Sequence, residues 1–356
     1  MTKLTLLGAG KIGDAIIHLL SHAGDFELTV VDIDAARLAL IPDGLAAKRL
    51  ADIGDEHTLL NLLKGQDVVL SACPFYLTPL IAKAALACST HYLDLTEDVE
   101  STRIVQALSK GANRAFIPQC GLAPGFISIA AYDLARRFDS LREVNMRVGA
   151  LPLYPTNALK YNLTWSTDGL INEYCNPCLA IRDGVRIETL PLEEMESFSL
   201  DGVDYEAFNT SGGLGTLTET LAGRVENLNY KTVRYPGHRD IVKVLVRDLR
   251  LDHRRDLLKD VLEAAIPITL QDVVLIFVTV SGMQSGRLTQ ETFAKKIYAQ
   301  KVNGKLLSAI QLTTASGICA MVDMLHEGKL PQAGFVRQED APLDAFLANR
   351  FGRYYA

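Results

Sequence analysis

The segment from Lys3 to Asp32 constrains the fold of this chain more than any other stretch. An apolar run leads into glycines at positions 8, 10 and 13, an amphipathic run follows, and a second apolar run ends on Asp32. This order is typical of a strand, a glycine turn, a helix and a second strand. In such units Gly8 allows a tight turn, Gly10 lets the backbone approach a pyrophosphate, and Gly13 lets the helix pack closely on the strand. The segment therefore predicts a dinucleotide-binding site.

The helix after the glycines is expected to begin at Lys11 and Ile12. Its first N–H groups have no partner within the helix, and its positive dipole end attracts phosphate, so we expect both residues to contact the cofactor. Asp32 ends the second strand, where a carboxylate can accept the ribose hydroxyls of the adenosine half. The same charge repels a 2′-phosphate and favours NAD over NADP. Arg37 lies five residues further on and moderates that preference.

Length, composition and charge exclude several classes of protein. The 356 residues suit two domains, and 48% hydrophobic with 22% charged residues is ordinary for a globular enzyme. A net charge of −6 without blocks of like charge argues against a nucleic-acid partner. No apolar run reaches the ~20 residues that span a membrane, and the first is already a strand rather than a signal peptide. Six scattered cysteines favour a reducing, cytoplasmic setting.

Strands and helices keep alternating as far as Pro118. After Asp32 the pattern predicts four further strands, at 47–50, 67–71, 91–95 and 114–118, with helices at 57–64, 77–88 and 101–112. This alternation implies right-handed crossovers and a doubly wound parallel sheet, the Rossmann form of the α/β class. Ligands bind at the carboxyl ends of such strands. We therefore expect Cys73 and Pro74 to contact the cofactor and Phe75 to contact the substrate.

A different pattern begins just after Gly121–Gly125. The pairs Asp183-Gly184, Asp201-Gly202 and Asn303-Gly304 are typical hairpin turns, so we expect a second α+β domain with a mixed sheet. Apolar spacing from Leu312 to Leu325 predicts a helix that returns to the first domain to bury its apolar face. The predicted bounds are 1–124 for the NAD-binding Rossmann domain, 125–308 for the substrate-binding and dimerisation domain, and 309–356 for the C-terminal helix and tail.

Several motifs resemble a known family over essentially the whole chain. They are Cys73–Phe75, Gly121–Gly125, Leu163–Ile171, Asp168–Tyr174, Phe208–Leu214, Arg234–His238 and Gly334–Glu339. Together they resemble the saccharopine dehydrogenase superfamily, and the last four are similar to its L-lysine 6-dehydrogenase branch. The resemblance implies an NAD-dependent homodimeric enzyme that oxidatively deaminates the ε-amine of L-lysine. Ammonia is released, and the semialdehyde cyclises to a piperideine carboxylate.

One position departs from the saccharopine-forming members of the family. They carry an arginine that holds a glutarate carboxylate where this chain has Asp168. A carboxylate there would repel that anion and attract an ammonium group, which favours a cationic substrate such as free lysine. The alternative is a saccharopine or carboxynorspermidine dehydrogenase or reductase. A third interpretation is a non-catalytic NAD-sensing module that binds a protein partner.

The other candidate residues have both a functional and a structural interpretation. Asp94 is the candidate general base, with water as a competitor, and Thr96 on the same face is a candidate substrate contact. Either could instead cap a helix. Asp168 or Thr167 could likewise cap the helix that begins there. Glu173 lies five residues beyond Asp168 and could contact the substrate from the same side.

Two further features of the second half of the chain have more than one interpretation. His238, or backbone amides near Gly212 and Gly213, could donate to the α-carboxylate of the substrate, although a lone histidine is more often structural. Cys175 and Cys178 form a single CxxC pair, which supplies at most two metal ligands without a second pair at zinc spacing. The sequence therefore predicts no metal site.

Overall fold

The computed structural model describes residues 1–356, which form two compact units. The first unit comprises residues 1–126, 302–305 and 311–356, and the second comprises residues 127–301 and 306–310. Each unit is described by itself below. None of the helices combines the length and the apolar character that crossing a membrane requires.

Residues 1–126 alternate strands with helices. The elements are β1 (Thr2–Leu7), α1 (Lys11–Ser21), β2 (Phe26–Asp32), α2 (Ala35–Ala39), β3 (Ala47–Leu50), α3 (Glu56–Leu63), β4 (Val68–Ser71), α4 (Thr78–Ala87), β5 (His91–Asp94), α5 (Val99–Leu108) and β6 (Ala115–Ile117), and α6 (Phe126–Ala135) follows. A single 3-10 turn, Phe75–Leu77, precedes α4.

The middle of the chain is rich in strands. Its elements are β7 (Ser140–Pro152), α7 (Thr167–Cys175), β8 (Cys178–Arg182), β9 (Val185–Thr189), β10 (Glu196–Leu200), β11 (Val203–Asn209), α8 (Leu217–Thr220), β12 (Val225–Arg234), α9 (His238–Lys243), α10 (Arg255–Ala265), β13 (Asp272–Gln284) and β14 (Arg287–Tyr298). The remaining elements are β15 (Gln300–Val302), β16 (Lys305–Leu307), α11 (Ala309–His326), β17 (Gly334–Phe335) and α12 (Leu343–Ala348).

The first unit contains a seven-stranded parallel sheet in the order β17-β6-β5-β4-β1-β2-β3. The prediction of a Rossmann sheet is therefore confirmed. The central strands β4, β5 and β6 are buried along their whole length, as expected for parallel strands with both faces covered. Leu7, Val69, Tyr92 and Phe116 are fully buried in one such layer. The sequence did not predict β17, which is only two residues long.

The second unit contains an eight-stranded mixed sheet. The main order is β10-β11-β12-β7-β13-β14, with β8 pairing with both β12 and β9. β12 runs parallel to β7, whereas the other pairs are antiparallel, so the predicted mixed sheet is confirmed. The turns Asp183-Gly184 and Asp201-Gly202 join hairpins as predicted. Both residues of each turn have positive φ, as type I′ turns require.

The sequence pattern also predicts a helix over 240–250 and a strand over 295–302, and the structure differs at both. The helix is α9 followed by a π-helical turn, Val244–Asp248. The strand begins earlier, at Arg287, and a separate short strand, β15, follows it. β14 lies at the sheet edge with mostly exposed or half-buried residues, so its sequence lacks the apolar run that marks a buried strand.

Candidate functional site

The glycine turn of the first unit leaves room for a pyrophosphate. Gly8 has a φ of +98°, and a Cβ on it would lie 2.8 Å from the Ala72 carbonyl oxygen. A Cβ on Gly13 would lie 2.0 Å from the Gly8 carbonyl oxygen, so α1 can approach β1 only with glycine there. A Cβ on Gly10 would meet no atom within 4 Å. Gly10 caps α1 without a side-chain hydrogen bond, so the first N–H groups of the helix, beginning with Lys11 and Ile12, have no partner from the cap.

Asp32 is tied directly to this turn. One carboxylate oxygen, Oδ2, accepts a hydrogen bond from the Ala9 N–H group at 2.7 Å, and Oδ1 accepts one from Asp34 at 2.8 Å. The side chain is buried, and the nearest cation is Arg37, whose Nη1 lies 4.0 Å from Oδ2. A fixed carboxylate beside an open glycine turn fits the adenosine ribose and pyrophosphate of a nicotinamide dinucleotide. When bound, such a cofactor supplies a hydride acceptor.

Cys73 and Pro74 follow β4 beside the same turn. A Cβ on Gly8 would lie 3.3 Å from the Cys73 Sγ atom, which shows how close this thiol is to the glycines. Burial, and then the charge of Asp32, raise the pKa of Cys73 to about 12, so the thiol stays neutral. Pro74 is exposed, and Phe75 opens the 3-10 turn with its carbonyl oxygen 3.3 Å from the Ser101 hydroxyl. Contacts of these residues with ligands stay predictions.

Asp94 is a buried carboxylate at the end of β5. Its Oδ2 accepts from the Tyr92 hydroxyl at 2.6 Å, and its Oδ1 accepts from the N–H groups of Thr96 at 3.0 Å and Gln119 at 2.8 Å. It is 1% exposed, and burial raises its pKa to about 6 against the opposing effect of these hydrogen bonds. The carboxylate therefore ties the end of β5 to the segment after β6. Its role as a general base stays a prediction.

The capping alternative for Asp94 and Thr96 is wrong. The N-cap of α5 is Asp98, whose side chain accepts from the Ser101 N–H group. Thr96 instead accepts a hydrogen bond from the Asp98 N–H group at 3.2 Å, so it fixes the residue that caps the helix.

The second unit brings Glu173 and His238 into one buried cluster. The guanidinium of Arg234 lies between them, with Nη2 3.8 Å from Glu173 and Nε donating to the Tyr174 hydroxyl at 3.0 Å. The Tyr174 hydroxyl in turn lies 2.9 Å from His238 Nε2. Arg234 also lies over the Tyr161 ring, with its Cζ 4.9 Å from the ring centroid. All of these side chains are less than a tenth exposed.

The contacts of His238 determine which ring nitrogen carries the proton. Nδ1 lies 2.8 Å from the Leu159 carbonyl oxygen, which can only accept, so Nδ1 is the protonated nitrogen. Burial lowers the pKa of His238 to about 3, with the charge of Arg234 acting in the same direction, so the ring is neutral. Nε2 must then accept from Tyr174. Both ring nitrogens are thus engaged, and a direct contact of His238 with the substrate stays a prediction that requires this cluster to open.

A small apolar cavity adjoins the cluster. Its volume is about 20 Å³, and its lining includes Tyr161, Tyr174, His238 and Val246. A cavity of this size holds no more than a water molecule. This cavity therefore has no space for an amino acid beside His238.

Asp168 lies apart from that cluster. Its Oδ2 is 2.7 Å from the Lys259 ammonium group of α10, and its side chain is 48% exposed. The N-cap of α7 is Ser166, whose hydroxyl accepts from the Gly169 N–H group at 3.2 Å, so neither capping alternative, Asp168 nor Thr167, is right. The expectation that Glu173 faces the same side as Asp168 is also wrong. Five residues of helix turn through about 500°, which separates the two side chains by about 140°.

The CxxC pair does not have the properties of reactive thiols. Cys175 and Cys178 are free, and burial raises the pKa of both, that of Cys178 to about 12. Reactive or metal-binding cysteines need a depressed pKa, because the thiolate is the active species. We therefore assign a packing role to this pair.

Reasoning from the sequence missed Tyr174 and Arg234 as members of the buried cluster. Both lie inside motifs that resemble the family, yet their partners are distant in the chain. Arg234 and Tyr174, for example, are separated by 60 residues. The signal that could have indicated a buried charge needing partners is an arginine between Val233 and Tyr235 at the end of a strand.

Comparisons with known proteins agree with this description. The saccharopine dehydrogenase NADP binding domain model matches residues 4–115, and the saccharopine dehydrogenase C-terminal domain model matches residues 121–351. The first of these models describes a nucleotide-binding domain, which agrees with the glycine turn between β1 and α1. The chain belongs to the saccharopine dehydrogenase family, as the sequence motifs predicted.

Individual relatives are more distant. The chain is 26% identical to saccharopine dehydrogenase [NADP(+), L-glutamate-forming] of Saccharomyces cerevisiae over 68% of its own length and 57% of that protein. It is 22% identical to the mitochondrial alpha-aminoadipic semialdehyde synthase of Bos taurus over 83% of its length and 33% of that protein. The chain thus spans about a third to just over half of these relatives.

A solved structure shows the same fold. The apo saccharopine dehydrogenase (L-Glu forming) from Saccharomyces cerevisiae superimposes with a TM-score of 0.77 at 18% identity. The match covers 100% of this chain and 96% of that chain.

Proposed function

We propose that this protein oxidatively deaminates the ε-amine of L-lysine with NAD as the hydride acceptor. The observation that carries the choice of substrate is the carboxylate of Asp168, which stands where the resemblance places an arginine in saccharopine-forming enzymes. The fixed carboxylate of Asp32 supports NAD as the cofactor, because it would repel a 2′-phosphate. The proposal narrows the activity of a family whose members act on lysine-related compounds.

The chemistry requires a neutral amine. A lysine ammonium group has a pKa near 10.4 and carries no lone pair to assist the departure of hydride from C6. Once the amine has lost a proton, hydride transfer leaves an iminium group, water adds to it, and ammonia departs to give the semialdehyde. Asp94 is our candidate acceptor for the proton, since a carboxyl with a pKa of about 6 is ionised at neutral pH. Phe75 and Thr96 are the proposed neighbours of the substrate.

One observation favours a second candidate. The Lys259 ammonium group lies 2.7 Å from Asp168 and compensates its charge, which weakens the attraction of Asp168 for a cationic substrate. A saccharopine dehydrogenase reaction is therefore the alternative. It would produce glutamate and a semialdehyde, or lysine and 2-oxoglutarate, depending on which C–N bond is oxidised and hydrolysed.

A substrate panel separates the two candidates. Purified protein is incubated with L-lysine or saccharopine and with NAD or NADP, while formation of the reduced cofactor and of ammonia is measured. The proposal expects reduced cofactor and ammonia in equal amounts from L-lysine with NAD. Turnover of saccharopine but not of L-lysine, with glutamate rather than ammonia as product, would replace lysine deamination with the saccharopine dehydrogenase reaction. Sedimentation velocity on the same sample tests the homodimer that the family resemblance implies.

A further inference from the structure

The motif Gly334–Glu339 has no role in the proposal so far, although it resembles the family. In the structure its first two residues form β17, which pairs in parallel with β6 at the edge of the Rossmann sheet. Phe335 lies opposite Phe116, so Arg337 follows at the level of Pro118. The carboxyl ends of the strands in such a sheet form the edge where ligands bind. Arg337 therefore leaves the sheet at its ligand-binding edge.

The backbone on both sides of Arg337 is firmly held. Val336 is fully buried and donates its N–H group to the Phe116 carbonyl oxygen at 3.0 Å. The Arg337 N–H group donates to Asp340 Oδ2 at 2.8 Å. Gln338 donates its Nε2 group to the Pro118 carbonyl oxygen at 2.8 Å. The start of the Arg337 side chain is thus fixed in position.

The Arg337 side chain, by contrast, has an unpaired donor. Its Nε atom is buried and donates to no acceptor, and Arg337 takes part in none of the ion pairs of the protein. Most buried donors in folded proteins are paired, so an exception needs an explanation. Arg350 of the same unit shows the contrast, because its guanidinium pairs with both Asp25 and Asp323. A fixed, unpaired cation at a ligand-binding edge is suited to an anionic ligand.

We propose that Arg337 binds a carboxylate of the substrate. The order of the strands excludes the phosphates of the cofactor as the anion. β17 is four strands from β1, which carries the glycine turn, and five from β2, which carries Asp32. At a spacing of about 4.8 Å per strand these separations are about 19 and 24 Å, more than an arginine side chain can reach. Asp94 and Thr96, the proposed base and substrate contact, lie at and just after the end of β5, which is only two strands from β17.

This inference rests on the proposed function for the identity of the substrate, and its test separates the two. L-lysine and 1,5-diaminopentane present the same amine, but only L-lysine has a carboxylate. Calorimetry measures the binding of each, and of saccharopine, to the protein saturated with NADH. The variants are Arg337→Met and Arg337→Lys, with Arg353→Met as a matched control at an exposed arginine of the same unit. A separate titration measures the affinity for NADH.

The expected pattern is specific to the carboxylate. Arg337→Met should weaken the binding of L-lysine by roughly 30-fold or more, the loss typical of removing one partner of a desolvated charge pair. It should leave the affinities for diaminopentane and NADH within about twofold of wild type. The affinity of Arg337→Lys for L-lysine should lie between those of wild type and Arg337→Met, because lysine keeps the charge but cannot form a bidentate hydrogen bond. Arg353→Met should behave like wild type.

Other results of these measurements would overturn the inference, the proposed function or both. Unchanged affinity of Arg337→Met for L-lysine and saccharopine, or an equal loss of affinity for NADH, overturns the inference. Binding of L-lysine that is lost in Arg337→Met, without oxidation by the wild-type protein, overturns the proposed function and supports the inference. A wild-type protein that binds neither carboxylated ligand overturns both.

Discussion

The hydroxyl of Tyr174 donates its proton to Nε2 of His238 across 2.9 Å, deep in the second unit. The direction follows from the Leu159 carbonyl oxygen, which occupies the opposite ring nitrogen as an acceptor. Arg234 then donates to the same tyrosine oxygen. The three side chains form a chain of hydrogen bonds with a single direction, and protonation of His238 would break it. The cluster therefore links the stability of this unit to pH.

We predict that acidification destabilises the second unit through His238. Its pKa is about 3 in the folded protein and about 6.5 when unfolded, so only the unfolded chain takes up this proton between those values. The contribution of His238 to stability is complete above pH 6.5 and is lost progressively towards pH 3. At pH 5 the loss is about 2 kcal/mol. Urea unfolding at pH 7.5 and pH 5 measures it through the fluorescence of Trp165, which bonds to Tyr161 in this cluster.

The control for this prediction is His238→Asn, which retains a donor for Leu159 but does not titrate. The variant should be less stable at pH 7.5 and should lose about 2 kcal/mol less than wild type on going to pH 5. Equal losses in both proteins would show that titrating groups other than His238 set the pH dependence.

Asp94 allows a second prediction, on the pH dependence of activity. If Asp94 is the general base, kcat should fall below about pH 6 as the carboxylate is protonated. The hydrogen bond from Tyr92 lowers the pKa of Asp94, so Tyr92→Phe should move this acidic limb to higher pH. The substrate amine should separately make activity rise to an optimum above about pH 8.5. If Tyr92→Phe does not change the pH at which kcat falls on the acidic side, water or another group is the base.

Local backbone requirements explain which parts of the fold the sequence predicts. Gly8 and the hairpin pairs need positive φ, and such residues are recognisable one by one. The strand β17 is two residues long and carries no periodic pattern, so its pairing with β6 emerges only from the folded chain. The edge strand β14 is equally hard to recognise, because its polar residues give no apolar run.

The candidate site was less predictable than the fold because its contacts join distant residues. The sequence indicated Glu173 and His238 singly, but not that their chain neighbours Tyr174 and Arg234 join the two motifs across 60 residues. It also indicated Asp168, but the partner Lys259 lies 91 residues away on another helix. Motifs indicate which residues matter, whereas pairing, protonation and the exposed face of a helix depend on the tertiary structure.

The glycine turn yields a prediction with its own internal control. Gly10→Ala should leave the folded protein intact, because no protein atom lies within 4 Å of the added Cβ, but it should occupy space needed by the pyrophosphate. We expect an affinity for NADH at least tenfold weaker, about 1.4 kcal/mol, at nearly unchanged Tm. Gly13→Ala should lower both the affinity for NADH and the Tm, because its Cβ would lie 2.0 Å from a carbonyl oxygen of the turn. Fluorescence titration and thermal unfolding measure the two effects, and wild-type affinity in Gly10→Ala would place the cofactor elsewhere.

Asp32 and Arg37 should set the choice of cofactor in opposite directions. We expect kcat/KM at least tenfold higher with NAD than with NADP, because the buried carboxylate faces the 2′-position at a cost of at least about 1.4 kcal/mol. Asp32→Ser should narrow the difference, whereas Arg37→Ala should widen it by removing the nearest cation. Equal efficiency of the wild-type protein with both cofactors would show that Asp32 acts only on the Ala9 and Asp34 backbone.

Asp168 separates the two candidate reactions most clearly. If its carboxylate contacts the substrate ammonium group, Asp168→Arg should abolish turnover of L-lysine, because it places two cations together and also repels Lys259. Asp168→Asn should raise KM for L-lysine by up to roughly fivefold, because a half-exposed carboxylate contributes at most about 1 kcal/mol to such a pair. Ser166 caps the helix, so Asn at position 168 should leave stability nearly unchanged.

The matched control is Lys259→Met, which removes the other half of the ion pair. A half-exposed pair contributes at most about 1 kcal/mol, so both Asp168→Asn and Lys259→Met should unfold within a few degrees of wild type. Lys259→Met leaves Asp168 uncompensated, and it should therefore lower KM for L-lysine. If Lys259 instead holds a substrate carboxylate, as the saccharopine reaction would need, the same variant should raise KM for saccharopine. Kinetics unchanged in both variants would remove Asp168 from the site, and with it the main reason for preferring lysine over saccharopine.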